Sequence, residues 1–317
     1  MKLIEPNVAI LNVPNLLAKI ETAGRTCYKS EDKITEDSSR EFVNKLIRSK
    51  HYAMLEHAEM TFEICTFPED RDLAQLLDVP FIRHTAHYVN DEHYTHYVTV
   101  SFSHLYNPRW EDLEYIMIFR DIVNGMYFNV PGKLLTSFVT NATTITPVLD
   151  LADELAYIPE SEHQLFWDTH KSYTFEFTCD RGVSHELVRH RCSFAQESTR
   201  YCNYTKSKFG GEISFIKPAN YNNWTDEAKE EFTHQLSCAE SSYMYLITEQ
   251  GLTPQEARAV LPNALKTTII MTAPVHQWKH FFDLRSKGIT GAPHPDMKVV
   301  ADMAYELFQQ VECTPQN

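Results

Sequence analysis

Residues 180–204 read DRGVSHELVRHRCSFAQESTRYCNY, and this stretch decides how the rest of the chain is arranged. Immediately before it, Tyr173, Phe175, Phe177 and Cys179 alternate with Thr174, Glu176 and Thr178, the two-residue period of a strand with one buried face. That strand runs into Asp180-Arg181-Gly182, where glycine permits a tight turn. Ser184 is placed to cap a short helix that carries Leu187 and Val188 inward. Arg189, His190 and Arg191 then fall at the helix end, ahead of a loop holding Ser198. Strand, turn, helix and loop deliver Arg181, Arg189, Arg191 and Arg200 to one edge of a sheet. A guanidinium presents a planar fork of donors suited to phosphate and carboxylate. Ser198 and Thr199 add hydroxyl and backbone N–H donors beside Arg200, as phosphate pockets do. The stretch is a candidate anion site.

Its positive charge stands out against an acidic chain. Among 317 residues, 43 acidic and 29 basic side chains give a formal charge of −14. Summed charge of that sign opposes non-specific association with nucleic acid or anionic membrane, but leaves room for a small anion in a local basic pocket. A hydrophobic content of 43% is ample for a buried core. Seven cysteines without Cys-x-x-Cys spacing argue against a disulfide framework or a zinc site and fit a reducing cytoplasm. The first twenty residues, MKLIEPNVAILNVPNLLAKI, hold no uninterrupted apolar run, so neither a secretory signal nor a membrane span is expected there. A soluble cytoplasmic protein is the expectation.

Working outward, residues 8–28 read as a strand followed by a short helix, and Phe42, Val43, Leu46 and Ile47 share one helical face within 39–50. Between His57 and Cys65, Ala58, Met60, Phe62 and Ile64 alternate with polar residues, so Leu55-Glu56-His57 stands at a strand entrance. The run His84, His87, His93, His96 and His104 has no compact ligand spacing, and an aromatic-rich hairpin or loop is expected rather than a metal site. Residues 97–102 read as a strand and 110–124 as a helix. Thr225 opens a long amphipathic helix with Ala228, Phe232, Leu236, Ala239, Tyr243 and Leu246 in line, stopped by Gly251. Thr253-Pro254-Gln255-Glu256 is a capping box, 265–272 is strand-like, and Pro274 opens a helix through Arg285 anchored by Trp278, Phe281 and Phe282.

Arg189-His190-Arg191 followed by Ser198-Thr199-Arg200-Tyr201 resembles the signature of the flavin-dependent thymidylate synthases, the ThyX family. Six residues, Cys192 to Glu197, stand where the family pattern has seven. The resemblance extends from Ala23 through Leu55-Glu56-His57, and over ARAVLP (257–262) and HQWKHFFDLR (276–285). It implies an α+β fold, a mixed sheet with long packing helices, as a single domain over 1–317 with an inserted subdomain within about 66–171 that short members lack. It also implies FAD as cofactor, NADPH as reductant, methylenetetrahydrofolate as carbon donor, dUMP as substrate, and a homotetramer with shared active sites. By the same resemblance His57, Arg189, His190, Arg191 and His280 face the flavin. Gln196, Glu197, Ser198, Thr199, Arg200 and Arg285 bind dUMP, with Arg285 activating the pyrimidine. Pro274, His276 and Thr268 depart from the Asn, Arg and Arg that members commonly carry at those positions.

Methylating C5 of a uracil nucleotide requires electron density at C5, a one-carbon unit and reducing equivalents. No cysteine here has an activating base in its sequence context, and Cys192 and Cys202 read as small packing residues. The resemblance implies the flavin route, in which the protein supplies binding, orientation and electrostatics. Two other functions fit the same residues: a flavin-dependent uridylate-modifying enzyme such as a hydroxymethylating one, and a non-catalytic nucleotide-binding protein.

Overall fold

The computed structural model describes residues 1–13, 15–66, 70–90, 93–128, 138–139, 143–206 and 211–313. Within them, strands form three sheets. A parallel pair joins β1 (Lys2–Ile4) to β10 (Ser214–Ile216). A four-stranded antiparallel sheet runs β2 (Asn7–Ile10), β8 (Ser172–Asp180), β11 (Lys266–Pro274) and β9 (Ser193–Gln196). The third sheet, also antiparallel, runs β4 (Arg83–Asn90), β5 (His93–Ser101), β3 (Glu59–Thr66), β7 (Thr144–Val148) and β6 (Phe138–Val139). With long helices packed on these sheets, the expected α+β class holds.

The central strand is β11, buried without interruption from Thr267 to Ala273. Such a strand is covered on both faces rather than half-buried. On one side the helices Val275–Arg285 and Pro295–Cys313 press Trp278, Phe281, Phe282, Ala304 and Phe308 against Phe175 and Phe177. Trp278 is wholly buried, and its ring lies edge-on to Phe175 at 4.7 Å. Truncating such an aromatic costs about 3–5 kcal/mol. On the other side Ala23 of the helix Leu16–Thr26 meets Ala195 and Ile270. Register then sets the site: Ile269 faces Gln196, and the Glu197 amide donates to Thr268 O at 2.8 Å, which carries the ladder one residue past β9.

β3 is the middle strand of the third sheet: it follows the turn Tyr52–His57 and pairs with β5 and β7. Phe62 stacks on Phe119 of the helix Glu114–Tyr127, and their cluster also takes in Leu17, Ile20, Val43 and Leu46 from the N-terminal helices. The histidine-rich run falls on β4 and β5 as far as His96, and His104 lies in the short helix Phe102–Tyr106 that follows. His84 Nε2 and His96 Nδ1 lie 2.9 Å apart, and His87 Nδ1 meets Glu162 Oε2 at 2.5 Å. The side chain of His93 lies outside the described residues.

Local expectations fail in instructive places. The helix after β8 begins at Arg181 with Asp180 as its cap, accepting from Val183 N at 2.8 Å, because a carboxylate outcompetes the hydroxyl four residues later. Ser184 sits inside the helix and donates to Arg181 O. Gly182 serves that cap, since a Cβ there would lie 3.0 Å from Asp180 Oδ1. Val188 points outward, 45% exposed, because the helix ends at Leu187. Helix Glu114–Tyr127 starts four residues later than expected, after a short 3-10 turn capped by Asn107. The long helix Asp226–Thr248 buries only Leu236 and Tyr243 within this chain, and Ala228 is exposed.

Candidate active site

Three groups of side chains lie around the edge strand β9 and the helices and turns next to β8 and β11. The first joins two helices. Glu186 lies in the last turn of Arg181–Leu187, with His190 four residues on, and Arg285 ends the helix Val275–Arg285. Arg285 donates from Nε to His190 Nε2 at 3.1 Å and from Nη1 to Glu186 Oε2 at 3.0 Å. An accepting Nε2 places the His190 proton on Nδ1. Burial, with Arg285 and His280 adding to it, holds the His190 pKa down at about 4, so the ring is neutral near pH 7. The ring also meets Phe281 edge-on at 5.0 Å and lies 6.4 Å from that of His280, which is exposed. Arg285 Nη2 makes no hydrogen bond among the described residues and is a donor left for a ligand.

The second group lies under the turn after β9. Glu197 is 2% exposed, and its Oε2 takes Lys266 Nζ at 2.9 Å and Lys29 Nζ at 3.4 Å. Two ammonium groups share this one carboxylate, with Glu176 within their electrostatic reach. Burial pulls the Lys266 ammonium below its usual value, against the opposing pull of Glu197. Lys266 also donates to Thr268 Oγ1 at 2.6 Å, at the position where an arginine was expected by resemblance. Thr199 accepts from Arg258 Nη1 at 3.0 Å, and the Ser198 amide donates to Cys27 O at 3.0 Å. Arg200 is exposed and lies over the Tyr201 ring at 5.5 Å. Gln196 turns inward, its amide donating to Ser184 Oγ at 2.8 Å.

The third group is a cleft of about 710 Å³ between the Arg191–Ser193 loop and the β4–β5 side, with Glu56, Glu59, Thr272 and His276 among its lining. Directly behind Thr272 is His57, fully buried, its Nδ1 2.8 Å from Thr272 Oγ1. Burial, then Lys19, drives the His57 pKa down to about 3, with the Phe194 backbone partly opposing. His57 Nε2 is left with no hydrogen-bond partner.

Of the expected residues, Arg285, His190 and His280 gather in one group, Gln196 to Arg200 in another, and Arg191 and His57 at the cleft. Arg189 is exposed beside them. Sequence reasoning passed over Glu186, Arg258 and Lys29. Glu186 was detectable from the expected helix, in which a residue four before His190 would share its side, although the helix ends at Leu187, and Arg258 lies within the quoted ARAVLP text. Lys29 comes from a distant turn and carried no local signal. Cys192 and Cys202 are both pushed up to about 12, chiefly by burial, which suits packing rather than nucleophilic attack. Among the described residues no three His, Cys, Asp or Glu side chains are grouped to hold a metal ion, and no helix is long and apolar enough to cross a membrane.

Comparison with known proteins bears on these groups. A family model described as "Thymidylate synthase complementing protein" matches residues 10–77 and 152–314. A flavin-dependent thymidylate synthase of Geobacter sulfurreducens is 31% identical over 147 residues, covering 46% of this chain and 58% of that protein. One of Pyrococcus furiosus is 35% identical over 118 residues, covering 37% and 47%. A probable flavin-dependent thymidylate synthase of Paramecium bursaria Chlorella virus 1 is 28% identical over 162 residues, covering 49% and 73%. The chain thus spans about half the length of the first two relatives. A solved UMP/dUMP methylase, PolB from Streptomyces cacaoi bound with 5-Br dUMP, aligns over 98% of this chain and 93% of that one at 16% identity, with a TM-score of 0.40, too loose a likeness to carry detail. Because the matched residues take in the 180–204 stretch, the Arg285 helix and the histidine behind the cleft alike, the chain belongs to the thymidylate synthase complementing protein family, the flavin-dependent thymidylate synthases.

Proposed function

We propose that the chain is a flavin-dependent thymidylate synthase that converts dUMP to dTMP, with methylenetetrahydrofolate as carbon donor and NADPH as reductant. The observation that carries the reading is the Arg285 guanidinium, fixed by neutral His190 and by Glu186 with Nη2 left over. A cation held in place before the reaction stabilises negative charge developing on a uracil ring better than a mobile one does. Arg200, Ser198 and Thr199, with Arg258 behind Thr199, hold the phosphate. Glu197 does not touch an anion in this scheme; it fixes Lys266 and Lys29 beneath the phosphate turn.

A flavin suits the residues present. The cleft has the volume of a cofactor site and a guanidinium, Arg191, at its edge, while the orphaned Nε2 of His57 lies just behind its floor. Arg189, His190, Arg191, His280 and His57 are the residues assigned to FAD. When bound, the flavin supplies hydride chemistry and carries the one-carbon unit. His190 offers it or the pyrimidine an Nδ1–H, and the buried Thr272–His57 pair keeps that floor free of charge.

The assigned residues fall into three groups, and the helix Asp226–Thr248 leaves most of its surface uncovered in one chain, with Tyr245 55% exposed. Both features support a homotetramer whose subunits complete each other's sites. The insertion is read within about 66–171, of which residues 78–151 lie outside both matched segments. The test is product analysis by mass spectrometry after incubating purified protein with FAD, dUMP, methylenetetrahydrofolate and NADPH. The reading expects dTMP. A hydroxymethylated uridylate, or nucleotide binding without turnover, would replace it.

A further inference from the structure

Phe81, Ile82, Arg83, Ser101 and His104, which line part of the cleft, lie outside both segments matched by the family. Phe81 is unusual twice over. It is 75% exposed, and its φ of 67° lies in the left-handed region that a bulky residue adopts only at a cost in free energy. Neither cost is offset by packing of its own ring.

The turn that presents Phe81 is held firmly. His104 Nε2 bonds Pro80 O at 2.9 Å, and His104 Nδ1 meets Ser101 Oγ at 2.8 Å. Val79 is buried on one side of Phe81, and the Ile82 amide closes back on Val79 O at 3.3 Å on the other. Two residues on, Arg83 is tied to Glu59 at 2.6 Å and to Ser172 at 3.1 Å. A strained, exposed phenyl ring on a braced turn, lining a cleft that the Arg191 guanidinium also lines, is an arrangement for a planar heteroaromatic ring that carries an anionic tail.

We propose that Phe81 is a stacking platform for the flavin ring, supplied by the inserted segment. This rests on the flavin reading above. Adding FAD to the purified chain, and following both affinity and the fluorescence of the bound flavin, separates the two claims. Stacking on an aromatic side chain quenches flavin emission. Phe81→Ala is expected to weaken FAD binding about tenfold and to brighten the bound flavin, with Phe81→Tyr restoring both. Phe81→Gly is expected to weaken FAD equally without lowering Tm, because glycine adopts that φ freely. Unchanged affinity and emission in Phe81→Ala, with wild type binding FAD, would overturn the platform alone. Failure of the wild-type chain to bind FAD would overturn the flavin reading and the platform with it.

Discussion

Arg285 and Glu186 meet at 3.0 Å across two helices that leave the central sheet from different strands, β11 and β8. Both side chains are partly exposed, at 21% and 23%, and His190 closes the third corner. A pair this close to solvent adds little to stability, in the range of about 0–1 kcal/mol. What it adds is direction, because a long flexible guanidinium is aimed by two acceptors on one neighbouring segment.

Glu186→Ala therefore lowers dTMP formation by on the order of tenfold to a hundredfold, the cost of misplacing a reacting group slightly. Thermal stability changes little, and Glu186→Gln, which keeps an acceptor oxygen, recovers most of the rate. Steady-state turnover alongside Tm for both variants checks this. A rate in Glu186→Ala equal to wild type would show that Arg285 needs no such partner.

Arg200→Ala weakens dUMP binding much more than FAD binding. A phosphate loses a charge-assisted partner worth about 2 kcal/mol, roughly thirtyfold in affinity. Calorimetric titration with each ligand is the check, and equal losses would reject the phosphate assignment.

Glu197→Ala acts on folding first. Lys266, only 15% exposed, would lose the carboxylate that balances its ammonium, at a cost of about 3 kcal/mol or more. Lys266→Met in the same chain removes the stranded charge and should return much of that stability. Urea denaturation of the single and double variants measures the difference, and additive losses would contradict the pairing.

Acid should unfold the protein through its buried histidines. His57 is held at about 3 and His170 at about 2, both below the ordinary 6.5 and both chiefly through burial. Lys19 adds to the effect at His57; Arg83, His84 and His87 add to it at His170. Above pH 6.5 both rings are neutral in folded and unfolded chains alike, so nothing is lost there. As pH falls below that value only the unfolded chain takes up protons, and stability declines by up to about 1.4 kcal/mol per pH unit for each ring until the folded pKa is approached. His57→Gln should flatten the dependence of the urea midpoint on pH between 6.5 and 4. An unchanged slope would place the acid sensitivity elsewhere.

Much of this was legible in the residues because it depends on local period and local chemistry. The alternation of Tyr173 to Cys179 gave β8, the capping box at Thr253 formed with its Glu256 bond at 2.8 Å, and Trp278, Phe281 and Phe282 are core anchors. What was not legible depends on neighbours distant in the chain. Asp180 rather than Ser184 caps its helix because several candidates compete within one turn. β11 is buried on both faces because helices cover each side, which a single strand cannot report. Lys29 reaches Glu197 from 168 residues away, and Gln196 and Glu197 face inward because β9 pairs with β11.

The account turns on Arg285 acting at the pyrimidine, and Arg285→Lys tests that most directly. Lysine keeps the charge and suits a helix C-terminus nearly as well, but it cannot reproduce the planar fork. Flavin reduction by NADPH and dTMP formation, measured separately in the same variant, should part company: reduction near wild type, dTMP formation down steeply. Near wild-type dTMP formation in Arg285→Lys would remove Arg285 from the chemistry and contradict the account.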